Sequence, residues 1–311
     1  MKKVFVLLLC CFFSAQGYEK LLPTFCVDFQ KSMNTHPDHD VQFSLNNKRW
    51  QIAQKLYEKN VLNDLTYSDQ ARIPLVVHHI WVGSPLPEYA QMFRKTWIDH
   101  NPNWTFVLWT DHPSTQYGGI VLDSFQQLKL YLKQPEKEQF IVMDMRKVSL
   151  KNQYAYEKRA KNYGEKSDIA RYEILYNIGG LYVDTDFECL RSFDELHHCC
   201  DFYTGVNHDK PFYLYNGLIA SVSGCPILKE AIDGLTNRRQ RADSLAYSGP
   251  YYFADCFIKR VSEVQGPVIP FPVTFLYPWP HHYRRQTGQR IKEWIRPESY
   301  AIHHWKVSWQ K

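Results

Sequence analysis

Long apolar runs are almost missing from this 311-residue sequence. The run Val4–Phe13 is shorter than the roughly 20 residues a membrane-spanning helix needs, and nothing after it spans a bilayer. Internal repeats and low-complexity tracts are missing too, which sets aside solenoid and linker architectures. A large surplus of either charge is also absent. The formal +5 falls to 5 − 2 = +3 if Lys2 and Lys3 leave with an amino-terminal leader, too little to argue for nucleic acid. Paired zinc-finger spacing is lacking: His197, His198, Cys199 and Cys200 are adjacent and have no second pair at the right distance. What is present, 44% hydrophobic and 22% charged residues, describes a globular chain able to bury one large core or two small ones.

The amino terminus, MKKVFVLLLCCFFSAQG, has a basic start, an apolar centre and small residues before Gly17. That order predicts a secretory signal peptide over residues 1–17, with an uncleaved anchor or a lipid-modified cysteine as the alternative. The expected location is the lumen of the secretory pathway (Golgi or endoplasmic reticulum) or outside the cell. Six cysteines then remain, Cys26, Cys189, Cys199, Cys200, Cys225 and Cys256, and an oxidising compartment permits disulfides among them. HHCC is expected to be a loop holding disulfide cysteines.

Residues 18–72 are polar with a helical pattern around KRWQIAQKLYEKNVL, a lead-in to the main domain. From residue 73 to 311 the character is α/β. RIPLVVHHIWVG reads as a buried strand, LPEYAQMFRKTWIDHNP as a helix stopped before Pro102, and WTFVLWTD as a second strand. Strand, helix, strand at this spacing predicts a parallel sheet. Residues 124–166, rich in Lys, Gln, Glu and Tyr, are expected to form a helical insertion. Ser167 is placed to cap the helix DIARYEILYNI, which Gly179 and Gly180 end. Strands near FYTGV and LYNGLIASV and helices at PILKEAIDGL and YYFADCFIKRV follow.

The chemistry gathers in SDIARYEILYNIGGLYVDTDFECL, residues 167–190. Asp184 and Asp186 stand two apart at the end of a predicted strand, so they share a face. Two close carboxylates repel unless a cation lies between them, and Mg²⁺ or Mn²⁺ prefers oxygen ligands while keeping positions open for phosphate. On the preceding helix, Asp168, Arg171 and Tyr172 are spaced i, i+3, i+4 and also share a face. A surface ion pair explains Asp168 and Arg171 taken alone; their position next to the carboxylate pair favours a shared cleft.

Taken whole, SDIARYEILYNIGGLYVDTDFE resembles the DXD-containing sugar-binding region of glycosyltransferase family 32 and the corresponding core of the large glucosylating bacterial toxins. IPLVVHHIWVG, NPNWTFVLWTD, NGLIAS, SGPYYF and YAIHHWKVSW fall in family order, so the resemblance runs over roughly residues 73–309. It implies a GT-A (Rossmann-like) fold with a mixed central sheet and helical additions. It also implies transfer of a sugar from a nucleotide diphosphate donor, a UDP- or GDP-sugar, to a carbohydrate, lipid or protein hydroxyl, with retention of configuration.

By that resemblance Asp186 binds Mn²⁺ or Mg²⁺ directly, and Asp184 holds ribose and sugar hydroxyls or reaches the metal through water. Asp168 and Arg171 bond the donor sugar, with Tyr182 beside them on the donor side. Trp81 stacks on the nucleobase, a core tryptophan being the plainer alternative. Asn216 borders the sugar pocket or is a turn residue before Gly217. Ser308 and Trp309 match a loop that closes over the phosphates, although their spacing differs and the toxins' acid is absent. His304 is the first choice for a third metal ligand and His303 the second. No second carboxylate can be named as the nucleophile a retaining glycosidase uses, so front-face attack is expected. A sugar-binding protein without turnover and a metal-dependent phosphohydrolase are the competing classes.

Overall fold

The computed structural model describes residues 27–36, 46–63, 65–208, 212–285 and 289–306. The expected leader 1–17, Cys26, Ser308 and Trp309 lie outside the described residues. Among those described, no helix is long and apolar enough to cross a membrane.

Among the described residues ten strands form two sheets. They are β1 Val76–Trp81, β2 Thr105–Thr110, β3 Ile120–Leu122, β4 Phe140–Asp144 and β5 Gly180–Val183, followed by β6 Phe187–Cys189, β7 Phe202–Val206, β8 Leu214–Ser221, β9 Val268–Phe271 and β10 Ala301–His303. The main sheet runs β3-β4-β2-β1-β5-β8-β7-β9, and β6 pairs with β10 apart from it. β3, β4, β2, β1 and β5 are mutually parallel, whereas β8 is antiparallel to both β5 and β7. The expected α/β class with a mixed central sheet and helical additions is therefore the architecture found.

Helices cover both faces, so the central strands are buried throughout and read as nearly continuous apolar runs. Of the two buried histidines in β1, His78 is hydrogen-bonded at both ring nitrogens, whereas His79 Nδ1 has no partner among the described residues. Trp109 Nε1 donates to His78 Nδ1 at 3.2 Å, which leaves Nε2 to donate to the Gly179 carbonyl at 2.9 Å. Burial pushes His78 down to about 4 and His79 to about 3, so both stay neutral. Gly180, at φ +99°, ends the turn from helix to β5, and a Cβ there would lie 2.6 Å from the Val76 carbonyl oxygen. The strand that delivers the aspartates can pair with β1 only because that residue has no side chain.

Several expectations are corrected. Residues 124–166 are not a helical insertion: only Phe125–Leu132 is an early α-helix, and Phe140–Asp144 is strand β4, inside the sheet between β3 and β2. Four of the five residues FIVMD are apolar, but the charged and polar residues on both sides hid them. The helix predicted to start after Ser167 begins at Tyr163, where the Asn162 side chain accepts from Glu165 N at 2.9 Å. HHCC is not a disulfide loop; it ends the helix Asp194–Cys199. Cys189, Cys199, Cys200, Cys225 and Cys256 are all free and buried. The lead-in helix Lys48–Glu58 is present, and its Trp50 and Tyr57 pack into the main core with Phe29 and Phe271.

Candidate active site

β5 ends at Val183, and the chain turns at once, with Asp184 N bonded to the Gly217 carbonyl and Phe187 N to the Asp184 carbonyl. Asp184 and Asp186 thus sit on a turn and not on one face of a strand. The turn leads into β6, and β10 returns from the carboxyl-terminal end to pair with it, Ile302 opposite Glu188 and His303 opposite Phe187. That pairing puts a histidine next to the aspartates.

Asp186 is held on three sides. Its Oδ1 is 2.9 Å from His303 Nε2, its Oδ2 accepts from Lys306 N at 2.7 Å, and its carbonyl accepts from His304 N. The Phe187 ring stacks on His303 at 4.3 Å, nearly parallel, and Trp305 covers it at 4.0 Å. Trp305 adopts φ +50°, the one left-handed non-glycine among the described residues, and that bend aims the Lys306 N–H at Asp186. His303, the second choice from sequence, is the histidine brought to the pair. His304 points elsewhere: its Nε2 meets Glu188 Oε2 at 2.9 Å and its ring stacks on Phe93.

Asp184 faces the helix Tyr163–Ile178. Its Oδ1 accepts from the Tyr182 hydroxyl and lies 3.4 Å from Arg171 Nη2. Arg171 also reaches Asp168 at 3.2 Å, donates to the Asn216 carbonyl at 2.6 Å, and lies 4.3 Å over the Tyr182 ring. Asp168 accepts from Asn216 Nδ2 at 2.8 Å and Ser248 Oγ at 3.1 Å. Asn216 Nδ2 donates as well to the Tyr172 hydroxyl, which in turn donates to the Ser248 carbonyl. Asp168, Arg171, Tyr182, Asp184 and Asn216 therefore form one connected polar cluster. Ser248 went unnoticed from sequence, although it opens the SGPYYF block.

Electrostatics separates the three acids. Burial raises Asp168 to about 6, Arg171 opposing and Asp184 adding to the shift. Burial also raises Asp184, against the pull of Arg171 and with a push from Asp186. Asp186 moves the other way, because His303 and the Lys306 N–H outweigh its burial. Burial works against the charge on Arg171, but the surrounding anions hold it firmly protonated. Two carboxylates side by side, Asp186 buried and Asp184 partly so and reluctant to ionise, fit a missing positive charge. One ligand atom each from Asp184, Asp186 and His303 lie within 4.8 Å of one another. Two carboxylate oxygens and one imidazole nitrogen suit Mn²⁺, and Mg²⁺ less well because of the nitrogen.

Trp81 is half-buried and does not touch this cluster. Its Nε1 donates to Ser84 Oγ and the Pro85 carbonyl. It nevertheless ends β1, which is paired in parallel with β5, so Trp81 and Asp184 emerge at the same edge of the sheet. Ligands of open α/β sheets bind at that carboxyl edge.

Residues 87–202 match the family described as glycosyltransferase sugar-binding region containing DXD motif. The chain is 29% identical over 177 residues to inositol phosphoceramide mannosyltransferase 3 of Schizosaccharomyces pombe, covering 57% of this chain and 41% of that protein. It is 24% identical over 191 residues to subversion of eukaryotic traffic protein A of Legionella pneumophila, covering 58% of this chain and 28% of that protein. The chain thus spans less than half the length of these two curated relatives. Among solved structures, the PaToxG glycosyltransferase superposes with a TM-score of 0.49 at 20% identity, over 72% of this chain and 81% of that one.

Proposed function

We propose that this chain, whose residues 87–202 carry the DXD-type glycosyltransferase sugar-binding region, transfers a sugar from a nucleotide diphosphate donor to a hydroxyl acceptor on a GT-A fold. One observation carries the reading: Asp184, Asp186 and His303 converge beside the Asp168–Arg171–Asn216 cluster at the carboxyl edge of β5.

Asp184, Asp186 and His303 would hold Mn²⁺ or Mg²⁺, which when bound neutralises charge growing on the departing diphosphate. The chain's own residues do the rest. Arg171 and Asp168, locked by Asn216, Ser248 and Ser167, present fixed donors and acceptors to the sugar hydroxyls. Fixed dipoles of this kind need no rearrangement when the bond breaks. Tyr182 and Arg171 orient Asp184. Trp81 is suited to stack on the nucleobase at the neighbouring strand end. Asp168, the buried acid nearest the sugar position, is tied down by three partners and poorly placed to act as a nucleophile. This supports front-face attack by the acceptor hydroxyl, with the leaving phosphate oxygen taking its proton and the configuration retained.

The relative's printed name, an inositol phosphoceramide mannosyltransferase, makes a nucleotide-activated mannose and a lipid-borne hydroxyl the first donor and acceptor to try. The test is a panel of UDP- and GDP-sugars with Mn²⁺, read as released nucleotide and as the anomer formed. Transfer or slow hydrolysis with retention is expected from at least one donor. Binding without turnover, cleavage of diphosphates that carry no sugar, or an inverted product would each overturn the reading.

A further inference from the structure

We propose that the surface made by residues 154–166 and 236–247 docks the chain on an anionic lipid bilayer, beside the cleft. These 25 residues hold seven cations against three acids, a surplus of four when the whole chain carries only +5. That surplus already counts the three acids, of which Glu157 and Asp243 are exposed and Glu165 is buried. Glu165 is buried under Ser244 and Gln240, Asp243 caps a helix through Leu245 N, and Glu157 accepts from Gln153.

The two segments form one surface. Arg159 donates to the carbonyls of Thr236 and Arg238, Lys161 to that of Arg241, and Asn162 to Ser244 Oγ. Several cations elsewhere are paired with carboxylates, as in Lys95–Asp99, Lys229–Asp233 and Arg260–Glu230, while others such as Arg191 and Arg296 donate to backbone carbonyls. Among the described residues none of these seven is paired with a carboxylate. Lys158, Lys161, Arg239 and Arg241 are exposed. Arg159 lies over Tyr154, Lys166 over Tyr156 and Tyr163, and Arg238 over Tyr252, contacts that leave their charge in place.

Apolar side chains stand among these charges. Tyr154 is 64% exposed, Tyr163 51% and Leu245 37%. Tyrosine at an interface with lysine and arginine around it is the composition of a membrane-surface site, where cations meet headgroups and apolar groups enter the acyl boundary. Leu245 offers nothing to a phosphodiester backbone or a base edge, which favours a bilayer over nucleic acid. The patch adjoins the cleft at two points: the Tyr163 ring covers Gly83, just past Trp81, and Ser248, next to the second segment, donates to Asp168. A chain seated here would meet an acceptor carried in the same membrane.

The test is vesicle flotation of the full chain at about 0.1 M salt, where charges still act over about 10 Å. Vesicles are phosphatidylcholine alone or with roughly one-third phosphatidylserine. Anionic vesicles should bind the chain, neutral ones much less, and raised salt should release it. Insertion by the apolar segment Val4–Phe13 would not discriminate by lipid charge. Replacing Lys158, Lys161 and Arg241 by Glu should weaken binding at least roughly 100-fold, about fivefold for each of the three cations lost before any repulsion from the new carboxylates. L245S should weaken it further while leaving the salt dependence intact. Thermal melting identifies any variant that fails to fold, in which case the milder K158Q/R241Q pair should still show a measurable loss. Equal binding to both vesicle types, unchanged binding by the variants, or tighter capture of duplex RNA through the same residues would overturn the inference.

Discussion

A Cβ placed on Gly217 would lie 2.7 Å from Oδ2 of Asp184. Gly217 sits in β8, antiparallel to β5, and its carbonyl accepts from Asp184 N, so the bare backbone of one strand shapes the seat of a carboxylate on the next. Its φ is not positive, so alanine fits the backbone and disturbs only the carboxylate. G217A should cost about 1 kcal/mol in stability, the low end for added volume at a packed site, because the displaced atom is the end of a side chain. Mn²⁺ affinity should fall roughly 10–100-fold, as for lost support of a metal ligand. Calorimetric titration of Mn²⁺ beside a melting curve checks both; a fall in stability with unchanged affinity would contradict the assignment.

The two neighbouring histidines should separate cleanly. H303A removes the nitrogen beside Asp186 and should lower Mn²⁺ affinity by at least roughly 10–100-fold. H304A breaks a pair with Glu188, which is 38% exposed, and a stack on Phe93 away from the aspartates. It should leave affinity within about twofold and cost at most about 1 kcal/mol of stability. Electron paramagnetic titration of free Mn²⁺ against each variant gives the comparison. The reverse order would restore His304 as the ligand.

How much of this was legible in the sequence depends on whether the signal was local. Asp184, Asp186, Asp168 and Arg171 lie within one stretch of 19 residues, and helix spacing was enough to predict that Asp168 and Arg171 share a face. His303 and His304 were distinguished by strand register, β10 against β6, which comes from chain segments more than a hundred residues apart. β4 was missed because its apolar run, Phe140–Met143, is only four residues long and charged neighbours dominate any wider window. The Asn162 cap was overlooked because Ser167 offered an equally good capping side chain five residues later. In the structure Ser167 Oγ instead contacts Arg171 and Tyr182.

Arg171→Lys should behave as a disruptive change. The guanidinium serves Ser167, Asn216, Asp168 and Asp184 together, and a single ammonium cannot span that set. Removing the charge altogether, as in R171M, leaves the buried Asp168 and the partly buried Asp184 without their partner and should cost about 3 kcal/mol. R171K should cost less in stability yet reduce sugar transfer roughly 100-fold or more, the size seen when one fixed transition-state donor is lost. Denaturant unfolding and donor turnover, measured on both variants, separate the two effects. Full activity in R171K would remove Arg171 from the donor site.

Stability should fall on the acid side of neutrality, partly through buried histidines. His78 is pushed down to about 4, and His79 and His197 to about 3, by burial first in each case, against the ordinary 6.5. A depressed folded-state value means the unfolded chain binds the extra proton. The contribution is therefore complete above 6.5 and is lost as pH falls toward about 3 to 4. Asp168, raised to about 6, acts in the opposite sense: it favours the folded state below its ordinary carboxylate value, and that gain disappears as pH rises through about 6. The net slope mixes both, so the clean measurement is a difference. His197 Nδ1 donates to the Ile73 carbonyl while Nε2 has no partner, which fixes the neutral tautomer. His197→Asn supplies an amide donor in its place and no titrating group. Between about pH 4 and 6, unfolding free energy of this variant should change with pH less steeply than that of the parent, by about 1.4 kcal/mol per pH unit. Parallel curves would show that His197 does not titrate between the folded and unfolded states.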